Sequence, residues 1–277
     1  MKTSRLLTLA CLAFAPMALN AHRMWILPSS TVVSGEDQWV VVDAAVSNNL
    51  FFPNHYAPEL ENFEVLDPTG QPVAFANGMR GKYRTTFDVP LTVKGTYRIF
   101  TQQAGIMASW MEGEERKRWR GTMEEFNELD QSKKNFGGME RHSRVETFVT
   151  LGAPTSDTFE VQGQGIEFVP VTHPNDLFAG EGASFTFYLD GKPWEGGKIT
   201  VIPGNDRYRN SVDEIELTTD AQGQITIEWP RAGRYWLEAS HGNARGGPDG
   251  AGAKAKAAPA GLKKVSNYSA VFEVLPL

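Results

Sequence analysis

Glu214-Ile-Glu-Leu-Thr218, Asp220-Ala-Gln-Gly223, Gln224-Ile-Thr-Ile-Glu-Trp229, Pro230-Arg-Ala-Gly233 and Arg234-Tyr-Trp-Leu-Glu-Ala-Ser240 follow one another in the chain. Apolar and polar residues alternate in the three longer runs, as on strands with one buried face, and the pieces between them have turn chemistry. Three strands joined by two tight turns predict an antiparallel meander.

Outward from this stretch the pattern persists. Ile166-Glu-Phe-Val-Pro170, Ala183-Ser-Phe-Thr-Phe-Tyr-Leu189 before Asp190-Gly191, Gly197-Lys-Ile-Thr-Val-Ile202 and Tyr268 to Leu275 read as further strands. So do Gln38 to Val46, Phe63 to Asp67, Pro72 to Phe75, Lys82 to Val89, Gly95 to Phe100 and Arg144 to Leu151. Short alternating runs with Gly/Pro punctuation predict an all-β fold of Ig-like sandwiches. The exception is Trp110 to Lys134. Charges crowd from Glu112 to Arg118, and Trp119, Met123, Phe126 and Leu129 recur at helical spacing. This predicts a helical insertion over about 110–134, with the Glu112–Glu115 acids on its solvated surface.

The expected organisation is a secretory leader at 1–21, an N-terminal sandwich at 22–151, a Gly/Pro/Ser/Thr linker at 152–165 and a C-terminal sandwich at 166–277. Residues 243–264, low-complexity Gly, Ala, Lys and Pro, cannot bury enough apolar area to order themselves and predict a disordered loop before the closing strand. In the leader, Lys2 and Arg5 precede an apolar run from Leu6 to Ala15, too short to span a membrane, and Leu19-Asn20-Ala21 suits a signal peptidase. A soluble, exported, periplasmic protein is expected, with no transmembrane segment after processing.

The leader carries two of the 27 basic residues and none of the 33 acidic ones. That leaves 25 against 33 in a mature chain of 256 residues, a formal charge of −8. Such a balance argues against a nucleic-acid partner. The one cysteine, Cys11, leaves with the leader, so the mature chain has no disulfide, no thiolate nucleophile and no thiolate ligand. No Gly-x-Ser-x-Gly elbow is present, and no Gly-rich loop stands between a strand and a helix. Trp229 and Trp236 fall on alternating core positions. No enzyme signature emerges.

Cleavage after Ala21 would make His22 the first residue of the mature chain, directly before Arg23-Met-Trp-Ile-Leu-Pro28, an apolar strand. A terminal histidine offers its α-amine and ring Nδ1 as a chelate, and nitrogen donors suit copper, nickel and zinc. Four more histidines remain. His55 lies in the turn-rich Phe51-Phe-Pro-Asn-His-Tyr56, His173 in Thr172-His-Pro-Asn-Asp176, and His241 just past Ser240. His142 follows the charged insert, close to Glu140. No pair has helix spacing or a His-x-His pattern, so a metal site would assemble from distant loops. The candidate ligands are His22, His55, His241 and His173.

Ala21-His22 to Pro28, Leu50-Phe-Phe-Pro-Asn-His55, Gly165 to Leu177, Asp190-Gly-Lys-Pro193, Thr219-Asp-Ala-Gln-Gly223 and Trp236-Leu-Glu-Ala-Ser-His241 span nearly all of the mature chain. In this order they resemble a bacterial periplasmic family of unknown function labelled as a periplasmic component of nickel/cobalt uptake (NikK/NikM-like). Asp190–Pro193 and Thr219–Gly223 also resemble pieces of transthyretin-like β-sandwich modules, which speak to fold and not function. The resemblance implies a divalent transition metal, nickel or cobalt with copper also suited, bound for a membrane metal transporter as partner. A copper monooxygenase with a histidine brace would also begin at His22. A non-enzymatic adhesion or glycan-binding module would leave His22 incidental.

Overall fold

A computed structural model describes residues 22–242 and 262–277. The expected leader at 1–21 and most of the expected loop at 243–264 lie outside the described residues. In chain order the strands are β1 (Arg23–Pro28), β2 (Val32–Val33), β3 (Gln38–Ser47), β4 (Phe63–Leu66), β5 (Ala76–Arg80) and β6 (Thr85–Leu91). Then come β7 (Gly95–Glu112), β8 (Glu115–Gly121), a five-residue helix α1 (Met123–Asn127) and β9 (Gly137–Leu151). The second half holds β10 (Ile166–Pro170), β11 (Gly182–Leu189), β12 (Lys192–Pro193), β13 (Lys198–Pro203), β14 (Ile215–Thr218), β15 (Gln224–Glu228), β16 (Gly233–His241) and β17 (Leu262–Val274).

The described strands form three sheets. One is β1-β3-β6-β5; another joins β10, β11, β12 and β15. The largest runs β14-β13-β16-β17-β9-β7-β4, with β2 added to β9 and β8 to β7. Within it β9 and β17 lie parallel, from Gly138 beside Leu262 to Thr147 beside Val271. Strands of the two halves therefore share one sheet.

Strand β9 is the pivot, because successive side chains of a strand point to opposite faces. Its Val145, Val149 and Leu151 enter a core with Ile26, Val42, Phe87, Tyr97 and Ile99. Its Phe148 enters the other core, with Phe168, Phe185, Trp229, Leu237 and Phe272. Each small sheet thus packs on its own face of the shared sheet. Strand β1 is buried on both sides: Ile26 joins the first core, while Trp25 and Leu27 meet Ile202, Trp236 and Val271.

The fold is all-β as the alternation predicts, with three corrections. The expected meander is not one. β14 and β16 both pair with β13, whereas β15 pairs with β11 in the opposite sheet. The turns at 219–223 and 230–233 are corners that carry the chain across the core. Alternation marks which side chains are buried but not which strand lies alongside. The expected helix over 110–134 is a hairpin of β7 and β8 followed by α1. Gly113, at φ 64°, takes the first place of its two-residue turn, where hairpins favour glycine. The helical spacing of Trp119, Phe126 and Leu129 arises because a strand, a one-turn helix and a loop all feed one small cluster around Ile106 and Ala108. Finally, β17 begins at Leu262, so residues 262–264 of the expected loop are strand. The 152–165 segment carries no strand and is packed: Phe159 is buried, and the Thr155 hydroxyl accepts from Thr96 N.

At the seam the Glu146 carboxylate is fully buried. Its Oε2 accepts from Arg98 Nη2 at 2.7 Å and Arg144 Nε at 3.0 Å; its Oε1 accepts from the Tyr268 hydroxyl at 2.6 Å. Arg98 also donates to the carbonyl of Thr158. β7, β9, β17 and the connecting segment are thereby tied at one acid. Burial alone would raise the pKa of Glu146. The Arg98 and Arg144 guanidiniums and the Tyr268 hydroxyl outweigh it, lowering the pKa from 4.5 to about 2. A group depressed in the folded state stabilises fully above its unfolded pKa, and that contribution fades as pH falls. Stability of the chain is expected to drop between about pH 4.5 and about pH 2. Glu146→Gln should flatten that loss and cost roughly 3–5 kcal/mol at neutral pH, because the buried Arg98 and the partly buried Arg144 lose their counter-ion. Urea unfolding across pH reads both effects.

Candidate metal centre

Residue His22 stands at the start of β1, exposed, and the strand behind it is held firmly. Arg23 reaches Asp206 at 3.4 Å and lies over the Trp236 ring. The Trp236 indole donates to Met24 O at 2.9 Å, and the Trp25 indole to the Ser47 hydroxyl at 2.8 Å. Pairing of Arg23 with Ser47 sets His22 level with the loop that leaves β3. That loop returns at once: Val46 and Tyr56 exchange backbone hydrogen bonds. Its middle is pinned where Leu50 N donates to Asp206 Oδ1 at 3.0 Å and Asn48 N to Asn54 Oδ1 at 3.0 Å. Phe51 adopts φ 65°, a left-handed conformation that a bulky residue rarely takes, and packs edge-on to Trp25.

The return brings His55 onto His22. The ring centroids are 3.6 Å apart and the planes 15° from parallel. Both residues are exposed, and Tyr56 closes one side of His55 at 5.2 Å. As they stand, the imidazoles meet face to face. In that arrangement their in-plane lone pairs run side by side, so holding a common ion would require one ring to turn. Two imidazoles, with the amine of His22 where the chain is cleaved before it, make a three-nitrogen donor set that fits copper, nickel or cobalt. Among the described residues no group of three or more His, Cys, Asp or Glu side chains surrounds a single point. Next to this loop an open cleft of about 540 Å³ is bounded by Phe51, Phe52, Asn205, Arg231, Arg234 and Glu273.

The other candidates lie elsewhere. His173 is wedged between the halves. Asn175 N donates to its Nδ1 at 3.1 Å, which leaves the proton on Nε2, facing Thr155 O at 3.1 Å and Thr96 Oγ1 at 3.0 Å. Both ring nitrogens are thus occupied. His241 ends β16 with its ring edge-on to Trp194. It is five residues beyond Trp236, about 17 Å along the strand, and the Phe51 loop packs at the opposite end of β16, where Gly204 N donates to Arg234 O. His142 Nε2 faces Glu140 at 3.2 Å. The sequence reading missed Asp206, which anchors both Arg23 and Leu50. Its sequence signal is an acid inside a turn, which many surface turns share.

A family model described as a domain of unknown function (DUF4198) matches residues 19–243. No curated protein matches the chain. Similar solved structures include a DUF4785 family protein from Legionella pneumophila (8% identity over 77% of this chain and 50% of that one, TM-score 0.24). Others are an ICAM-5 D1–D4 ectodomain fragment (11%, 92% and 51%, TM-score 0.22) and the D0–D1 domain of intimin (11%, 90% and 97%, TM-score 0.20). The chain spans about half the length of the first two. At these TM-scores the likenesses carry no argument about function.

Burial lowers the pKa of His173, against weaker opposing effects from the Thr155 carbonyl and Asp176. A base depressed in the folded state binds its proton more readily when unfolded, so it stabilises above its ordinary value of 6.5 and progressively less below it. His173→Ala is expected to cost about 1–3 kcal/mol at neutral pH and to remove that slope. His55→Ala, on an exposed ring, should stay within about 0.5 kcal/mol without metal. Thermal and urea unfolding at several pH values measure both.

Proposed function

The chain belongs to this family of unknown function, and with that as the premise we propose that it is an exported, periplasmic transition-metal-binding protein. It takes nickel or cobalt, with copper as a competitor, and serves their uptake through a membrane transporter. The observation that carries the proposal is the contact of His22 with His55 across 33 positions of sequence. The ligands would be the His22 amine, the His22 ring and the His55 ring. His173 and His241, which lie apart from this pair, are not needed.

The ion is cargo here, so the chemistry required of the chain is capture and release. Exposure of both rings suits exchange with a partner. Imidazole and amine bind metal only as free bases, so protons compete with the ion and acidification favours release. Export couples to binding, because the amine becomes a ligand only after cleavage before His22.

The same two histidines are the complement of a histidine brace, which keeps a copper monooxygenase as the second reading. Copper-loaded protein given ascorbate and oxygen separates the two, since a carrier oxidises no substrate.

Calorimetry with nickel, cobalt and copper on the processed chain tests the proposal. One residue added before His22 turns the amine into an amide, and affinity should fall tenfold or more, on the order of the losses when a metal site's supporting groups are removed. His22→Ala and His55→Ala should each lower affinity at least as much, and His241→Ala should leave it unchanged. Equal binding by the processed, extended, His22→Ala and His55→Ala proteins would refute the site.

A further inference from the structure

The β7–β8 hairpin carries a second surface, whose residues are separate from the histidine pair. Up to Thr101, the odd-numbered side chains of β7, among them Tyr97 and Ile99, lie in the first core. Beyond it the same face presents Met107, Ser109 and Met111. On β8, Arg120, Arg118 and Arg116 stand opposite these three. On β9, Met139 stands opposite Met107, and Arg141 opposite Gly105. Directly paired residues share a face of a sheet. One face of this three-stranded projection therefore holds four arginines and three methionines. The other face is closed by Phe126 and Phe136 over Ile106, Ala108 and Trp119.

The four arginines are exposed and the three methionines half-buried. Among the described residues none of these guanidiniums meets a carboxylate. Arg120 Nη2 touches Met107 Sδ at 3.7 Å, whereas Lys117, on the opposite face, takes Glu112 and Glu115. This concentration of cations stands on a mature chain with an excess of acidic residues. β8 is an edge strand, and charge on an edge deters pairing with other chains. Edge protection accounts for charge on either face of β8. It does not account for the separation of arginines from acids, nor for the thioethers between them.

We propose that this face docks the protein onto an anionic phospholipid surface. The methionines form a central apolar strip on β7 and β9, three arginines flank it from β8, and Arg141 stands beyond Met139 along β9. Arginine stems can lie along apolar surface while their heads reach headgroup phosphates. A strip of this kind matches the boundary between headgroups and acyl chains. An acidic protein partner would call for the arginines but not for the strip.

Sedimentation of the processed protein with vesicles tests the proposal. Binding to phosphatidylglycerol–phosphatidylcholine vesicles is expected, with little to phosphatidylcholine alone. Each arginine near such a surface contributes roughly fivefold, so R116Q/R118Q/R120Q should weaken binding on the order of a hundredfold. Met107→Gln, which leaves the charge unchanged, should weaken it as well. Should the triple variant fail to fold, rising salt on the unaltered protein gives the same reading, and binding should fall steeply. Indifference to lipid charge, salt-independent binding, or full binding by a folded triple variant would overturn the proposal. Retention on immobilised polyglutamate without vesicle binding would overturn it in favour of an acidic protein partner.

Discussion

A single buried carboxylate sits where the two halves of this chain become one sheet. Glu146 on β9 accepts from Arg98 on β7, Arg144 on its own strand and Tyr268 on β17. The arrangement is satisfied only when all three strands are in register, because a buried charge without its partners is strongly destabilising. Arg98 spends a further donor on Thr158, so the segment between the halves is tied into the same knot. Around this acid, β9 sends alternate side chains into two different cores. The parallel contact of β9 with β17 joins the halves, and parting them there would take Phe148 out of the second core.

That constraint places the N-terminus. β1, the edge strand of the first small sheet, lies against the β13–β16–β17 end of the shared sheet and packs Trp25 and Leu27 there. His22 is therefore carried on a buried strand and held next to the loop that leaves β3. Asp206, from the second half, holds both Arg23 and the backbone of Leu50. The histidine pair is thus built by the first half and fixed by the second. A metal-binding role at this point and a membrane-facing role for the β7–β8 hairpin would occupy separate parts of the molecule.

Alternation alone made the all-β class legible, and it marked Phe185, Phe187, Trp229 and Trp236 as buried, as they are. Strand positions in the second half were legible for the same reason. Pairing was not. Asp220–Gly223 and Pro230–Gly233 have the chemistry of tight turns, and the same chemistry serves a hairpin or a corner between sheets. The 110–134 segment misled because helical spacing arose from side chains on three kinds of element converging on Phe126. Its Gly113, between two acids, held the hairpin signal. Glu146 could have drawn notice as an acid between Val145 and Thr147-Phe-Val149, with Arg144 two residues away.

By itself, then, the sequence determined burial, since burial follows from each residue's own solubility and the period of the strand. It also determined the candidate ligands as residue types. Only the tertiary structure decided which of them meet. His22 and His55 lie together because β3 turns back on itself beside β1. His173 is a wedge with both nitrogens engaged, and His241 stands at the far end of its strand. No local pattern encodes those outcomes, because proximity across a sheet depends on which strands pair, and pairing is set by side chains distant in sequence, as Asp206 is from Arg23 and Leu50.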